Sequence, residues 1–136
     1  MSGGLFGQLD ISASGMTAER LRMQVIAENL ANANSTKGAD GQPYRRKSVT
    51  LQEAPSFDDV LGGVEATGIT QDPSPGRRVY DPANPDADGQ GYVTLPNVDS
   101  VTEMVDLITA SRGYDANVQA LNAAKQMFQK ALDLLR

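Results

Sequence analysis

The sequence predicts an α+β fold in which long N- and C-terminal helices form a coiled coil, with a small, loop-rich β module between them, in an elongated molecule. Three observations predict it. All seven prolines fall between Pro43 and Pro96, so both ends lack the residue that breaks helices. In those ends apolar residues recur at spacings of three and four, the period of a helix with a buried face. The middle instead holds short runs of β-branched and aromatic residues bounded by turn signals.

The N-terminal helix is expected between Leu5 and Ala33. Leu9, Met16, Met23 and Leu30 recur every seven residues, with Ile26 and Ala33 alongside. Ile11, Ala18, Leu21 and Val25 form a second stripe on nearly the opposite side, so the helix needs two partners. Gly15 in its interior costs ~1 kcal/mol relative to alanine, a further reason to expect tertiary support. Strands are expected at Tyr44 to Glu53, Val64 to Thr70, Arg77 to Tyr80 and Tyr92 to Leu95. Gly62-Gly63, Pro73-Ser74-Pro75-Gly76 and Asp88-Gly89 provide the turns between them.

The C-terminal helix follows Pro96. Ser100-Val101-Thr102-Glu103 fits a capping box, in which serine and glutamate side chains satisfy the open backbone N–H groups of the helix start. Met104, Leu107, Ser111, Tyr114, Val118, Leu121, Lys125, Phe128, Leu132 and Leu135 alternate spacings of three and four, the signature of a coiled-coil seam. Ala110, Ala116, Ala120, Ala123, Ala124 and Ala131 cover other faces and permit close approach of a further helix. The resulting division is 1–36 for the first helix and its asparagine-rich turn, 37–98 for the β module, and 99–136 for the last helix. The first and last parts form one discontinuous domain. At 1.5 Å per residue the helices are ~44 and ~54 Å long, whereas a compact chain of this size has a radius of gyration of ~14 Å. Their combined apolar surface exceeds what the two can hide on each other, so the ends of a free subunit are expected to be partly disordered and to fold on assembly.

Composition narrows the chemistry. With 12 basic and 17 acidic residues the net charge is -5, which argues against nucleic acid and anionic lipid as partners. The chain has no cysteine and no histidine, which removes disulfides, thiolate metal sites and the commonest general base. No catalytic constellation emerges: Asp58 and Asp59 are adjacent, but adjacency on a loop gives no reason for a shared proton. An enzyme is not expected, nor a cofactor or metal. The N-terminus lacks the basic and apolar regions of a cleavable signal peptide, and no run approaches the ~20 apolar residues of a membrane span.

Several motifs have plainer readings. Asn84-Pro85-Asp86-Ala87-Asp88-Gly89 imitates half of a calcium-binding loop, but position 12 is Leu95 instead of glutamate, so an Asx/proline turn is favoured. Arg45-Arg46-Lys47 beside Tyr44 is a single basic triplet in an acidic chain. It reads as a solvated strand face or a salt-bridge donor between subunits in preference to a phosphate site. Asn34-Ser35-Thr36 matches a glycosylation sequon without a secretory context to use it.

Three separated segments carry a resemblance. Ser12 to Tyr44, with Ala31 to Thr36 reading ANANST, resembles the N-terminal signature of bacterial flagellar rod and hook proteins. Tyr80 to Asp99 (YDPANPDADGQGYVTLPNVD) and Glu103 to Lys125 (EMVDLITASRGYDANVQALNAAK) resemble the proximal-rod type of that family. Asn84 stands where the family pattern has histidine. The resemblance implies export by the flagellar type III apparatus without a cleaved signal, and a place in the periplasm-spanning rod of the basal body. It implies terminal helices that form an inner tube, with the β module facing outward. The partners it implies are copies of the chain itself, the rod proteins FlgB, FlgF and FlgG, and the rod-base adaptor FliE.

The expected role is therefore an axial rod subunit that polymerises through its terminal helices and transmits torque from motor to hook. Leu9, Met16, Met23, Ile26 and Leu30 would provide the subunit interface with Leu107, Tyr114, Val118, Leu121, Phe128 and Leu132. In that arrangement Leu9, Met16, Met23 and Leu30 face Leu107, Tyr114, Leu121 and Phe128. Asn29, Asn32 and Asn34 would fix the helix end, since asparagine caps C-terminal carbonyls and tolerates left-handed geometry. The rival expectation is a soluble helical-hairpin adaptor or chaperone-like module of a secretion system.

Overall fold

The computed structural model describes residues 3–38, 40–54 and 62–134, with side chains from residue 7 onward. Its elements are α1 (Gly3–Ala31), β1 (Lys47–Glu53), β2 (Val64–Gln71), β3 (Arg77–Tyr80), β4 (Tyr92–Leu95) and α2 (Ser100–Asp133), an α+β arrangement. β3 and β4 fall on the expected residues. β1 begins later than expected because Tyr44 turns toward α1 instead of pairing. The strands form two separate antiparallel pairs, β1 with β2 and β3 with β4. A register shift between Thr50 and Leu51 bends the longer pair. Asp58, Asp59 and Leu135 lie outside the described residues.

α1 packs chiefly against α2, and its other flank meets β1 and β2. The helices run antiparallel in constant register: Asn29 bonds Glu103, Glu19 lies over Gly113, and Gly15 lies over Asn117. Close approach explains the two glycines. A Cβ on Gly15 would sit 2.8 Å from the Asn117 side-chain nitrogen, and one on Gly113 would sit 3.1 Å from the Glu19 carboxyl.

Apart from Val25 and Ile26, the buried residues of the two helices are small or polar. Ala18, Val25, Ile26, Asn29 and Ala33 are buried from α1 and its turn, and Glu103, Ala110 and Ala124 from α2. This corrects the expected facing of the long side chains. Leu9, Met16, Met23 and Leu30 lie half-buried on a flank of α1. On α2 the inward line is Glu103, Ala110, Asn117 and Ala124, one residue before the expected Met104, Ser111, Val118 and Lys125. Val118 stays half-buried, and Met104, Ser111 and Lys125 are exposed.

The start of α2 also differs from expectation. Asp99, not Ser100, is the N-cap: its carboxylate accepts from the Val101 and Thr102 N–H groups at 2.8 and 3.3 Å. Glu103 cannot complete a capping box because its carboxylate is buried against Asn29 of α1 and against Arg46, just before β1. The β module meets α1 at two levels. Val64 N–H donates to Ser14 Oγ at 3.1 Å near the middle of the helix, and Lys47 meets Asn29 near its end.

Candidate functional site

The residues that join the three parts of the chain form one polar cluster. Asn29 is fully buried in the last turn of α1. Its Nδ2 donates to the Lys47 carbonyl at 2.8 Å and to Glu103 Oε2 at 3.0 Å, while its Oδ1 accepts from the Tyr44 hydroxyl and the Lys47 N–H, both at 2.9 Å. All four hydrogen-bonding positions of the amide are thus used. Glu103, also fully buried, accepts Arg46 Nε at 2.6 Å on its other oxygen. Arg46 Nη2 reaches Asp106 at 3.2 Å. A buried carboxylate is tolerated when paired and hydrogen-bonded in this way.

The electrostatics follow from the geometry. Burial pushes the Tyr44 hydroxyl up to about 12, and the charges of Glu28 and Glu103 add to the effect. The hydrogen bond to Glu103 holds Arg46 still more firmly protonated. Two of the three residues in the basic triplet are thus engaged within the chain, Arg46 as above and Lys47 with Glu28, while Arg45 is exposed.

A second junction joins the asparagine-rich turn to the loop between β3 and β4. Thr36 donates to Asp86 at 2.6 Å and Lys37 at 2.8 Å, which together hold the Asp86 carboxyl below its ordinary range. Asn84 Oδ1 accepts the Asp86 N–H at 3.0 Å, and Asp88 Oδ1 accepts those of Gln90 and Tyr92 at 2.9 Å. The loop is therefore built from Asx turns, and Asn84, where the family pattern has histidine, shapes one of them. Among the described residues no group of three or more carboxylates gathers to hold a metal.

The expected site residues divide by position. Asn32 Nδ2 donates to the Glu28 carbonyl at 2.8 Å, in the last turn of α1. Asn29 joins α1 to β1 and α2, and Asn34 is exposed. Ile26 is buried, and Leu107, Tyr114, Val118 and Leu121 are half-buried beside the inward line of α2. Phe128 and Leu132 are exposed toward its end. In the antiparallel register the first residues of α1 stand level with this end of α2, so little of α1 extends past it. Hydrophobicity ranking missed Glu103, Arg46, Asp99 and Gly113, because polar and small residues do not stand out in a search for apolar periodicity.

A further face of α2 is uncovered. Val101, Met104, Val105 and Ile108 are 72%, 51%, 57% and 55% exposed and follow helical spacing on the side away from α1. No helix among the described residues is long and apolar enough to cross a membrane.

Comparison with known proteins gives this architecture a context. The model of flagella basal body rod proteins matches residues 9–39, and the C-terminal model of flagellar basal body rod FlgEFG proteins matches residues 90–134. The flagellar basal-body rod protein FlgC of Yersinia enterocolitica is 48% identical over 130 residues, covering 96% of this chain and 97% of its own. FlgC of Bacillus subtilis (strain 168) is 46% identical over 145 residues, with 95% and 97% covered. FlgC of Borreliella burgdorferi is 41% identical over 150 residues, with 98% and 99% covered. Such similarity spans both helices, the polar junctions and the β module together, and the chain belongs to the FlgC family of flagellar basal-body rod proteins.

Proposed function

We propose that this chain is a structural, non-catalytic subunit of the flagellar basal-body rod, polymerising through its terminal helices to carry torque from motor to hook. The observation that carries the reading is identity of 48% to a rod protein across 96% of the chain. In this reading parts 1–36 and 99–136 pack with those of neighbours as a coiled coil in an elongated inner tube, and 37–98 faces outward. The interface draws on Leu9, Met16, Met23, Ile26 and Leu30, and on Leu107, Tyr114, Val118, Leu121, Phe128 and Leu132. The neighbours are copies of itself, FlgB, FlgF, FlgG and FliE, reached after export through the flagellar type III apparatus without a cleaved signal into the periplasm-spanning rod.

The polar cluster supports a mechanical role. A helical hairpin transmits torque only if its helices cannot slide past one another, and the Asn29–Glu103–Arg46 junction penalises any slip by unpairing buried polar groups. The uncovered apolar face of α2 favours a polymerising subunit over a self-contained adaptor. Replacing Leu121 with aspartate is expected to abolish rod assembly and motility while the protein is still exported. Electron microscopy of basal bodies and immunodetection of exported protein provide the measurement, and motile cells with normal filaments would refute the reading.

A further inference from the structure

The face of α2 directed away from α1 changes character along its length. Val101, Val105 and Ile108 occupy its first turns, and Ala116, Ala120 and Ala123 occupy the same side farther on, with Arg112 between; all are exposed. The spacings of three and four keep them on one side of the helix. At Val101, Val105 and Ile108 this side is opposite the inward line that carries Glu103 and Ala110, and toward Ala120, one heptad beyond Gly113, it turns to the flank of that line.

We propose, resting on the rod-subunit reading, that this face docks the same face of a second copy, parallel to it and displaced along the helix by about 15 residues, ~22 Å at 1.5 Å per residue. Val101, Val105 and Ile108 of one copy then sit on Ala116, Ala120 and Ala123 of the next. Within α2 this is the one displacement that places all three bulky residues on alanines, where small side chains allow close packing.

The charges agree with the same displacement. Asp115 of one copy comes level with Lys130 of the next, and Asp99 comes within a turn of Arg112; all four side chains are exposed. An antiparallel pairing that also seats the bulky residues on alanines would put Arg112 against Arg112, a like-charge contact. The parallel contact is heterologous: one copy keeps its alanine half open and the other its bulky half, each free for a further copy. Contacts of this kind build open helical assemblies, whereas the antiparallel pair would close at two.

The chain contains no cysteine, so single-cysteine variants at exposed positions report the geometry directly. Flagellated cells would co-express Ile108→Cys with Ala123→Cys or, as the contrast, Ile108→Cys with Ala116→Cys. Isolated basal bodies would then be oxidised and cross-linked dimer read on non-reducing gels. The first pair is expected to cross-link and the second to give at least tenfold less dimer. The proposal is overturned if the second pair dominates, as an antiparallel contact requires. It is also overturned if neither pair cross-links in basal bodies that contain both variants, or if Ile108→Cys there stays fully reactive toward a maleimide. Absence of the chain from basal bodies would defeat the rod reading and this proposal with it.

Discussion

At the scale of single residues, stability concentrates in a few polar side chains. Glu103 accepts from both Arg46 and Asn29 while fully buried, so Glu103→Ala leaves the Arg46 Nε–H and one Asn29 N–H without an acceptor. Breaking a buried pair by removing one partner costs ~3–5 kcal/mol; since Arg46 is 29% exposed, the expected loss is at the lower end, ~3 kcal/mol. The midpoint of urea unfolding measures it, and a change below ~0.5 kcal/mol, typical of a surface substitution, would contradict the junction. Tyr44 makes a separate prediction. Its hydroxyl ionises at about 12 in the folded chain instead of 10.0, so the folded state binds the proton more tightly than the unfolded state. That contribution is complete below pH 10 and is lost as pH rises toward 12. In Tyr44→Phe this component of the alkaline loss should disappear, as read by unfolding midpoints measured across that interval.

At the scale of elements, the helix start separates two readings that the sequence left close together. Asp99 caps α2, and the Ser100 to Glu103 capping box does not form. Asp99→Ala should therefore cost ~1 kcal/mol, whereas Ser100→Ala should change thermal stability by less than half as much. Equal effects would restore the capping box. Strand positions were legible because β-branched runs between turn signals are a local property, and β3 and β4 matched residue for residue. The number of sheets was not, because pairing is decided by non-local contacts. The helix contact was misread for a related reason: apolar periodicity located both helices but not the side on which they meet. Gly15, Gly113, Asn29 and Glu103 occupy that side because close approach and specific hydrogen bonds set it, and neither raises hydrophobicity. Gly15 was noted as a cost to the helix, and in the fold it is what lets Asn117 come near.

At the scale of the whole molecule, the motifs quoted separately from the sequence turn out to be linked. The asparagine-rich turn and the PDADG loop are tied by Asp86 to Thr36 and Lys37, and the triplet after Tyr44 is tied to both helices through Arg46 and Lys47. Asp86 owes its lowered carboxyl range to those partners, so acid that protonates it weakens this tie.

The β ribbon grips α1 at two separated points, Ser14 and Asn29. One fastening would act as a pivot, letting the ribbon swivel on the helix. Two fastenings about 22 Å apart along the helix, at 1.5 Å per residue, behave like a bracket held by two bolts. A twisting force on the ribbon is resisted by the lever arm between them and passes to α1.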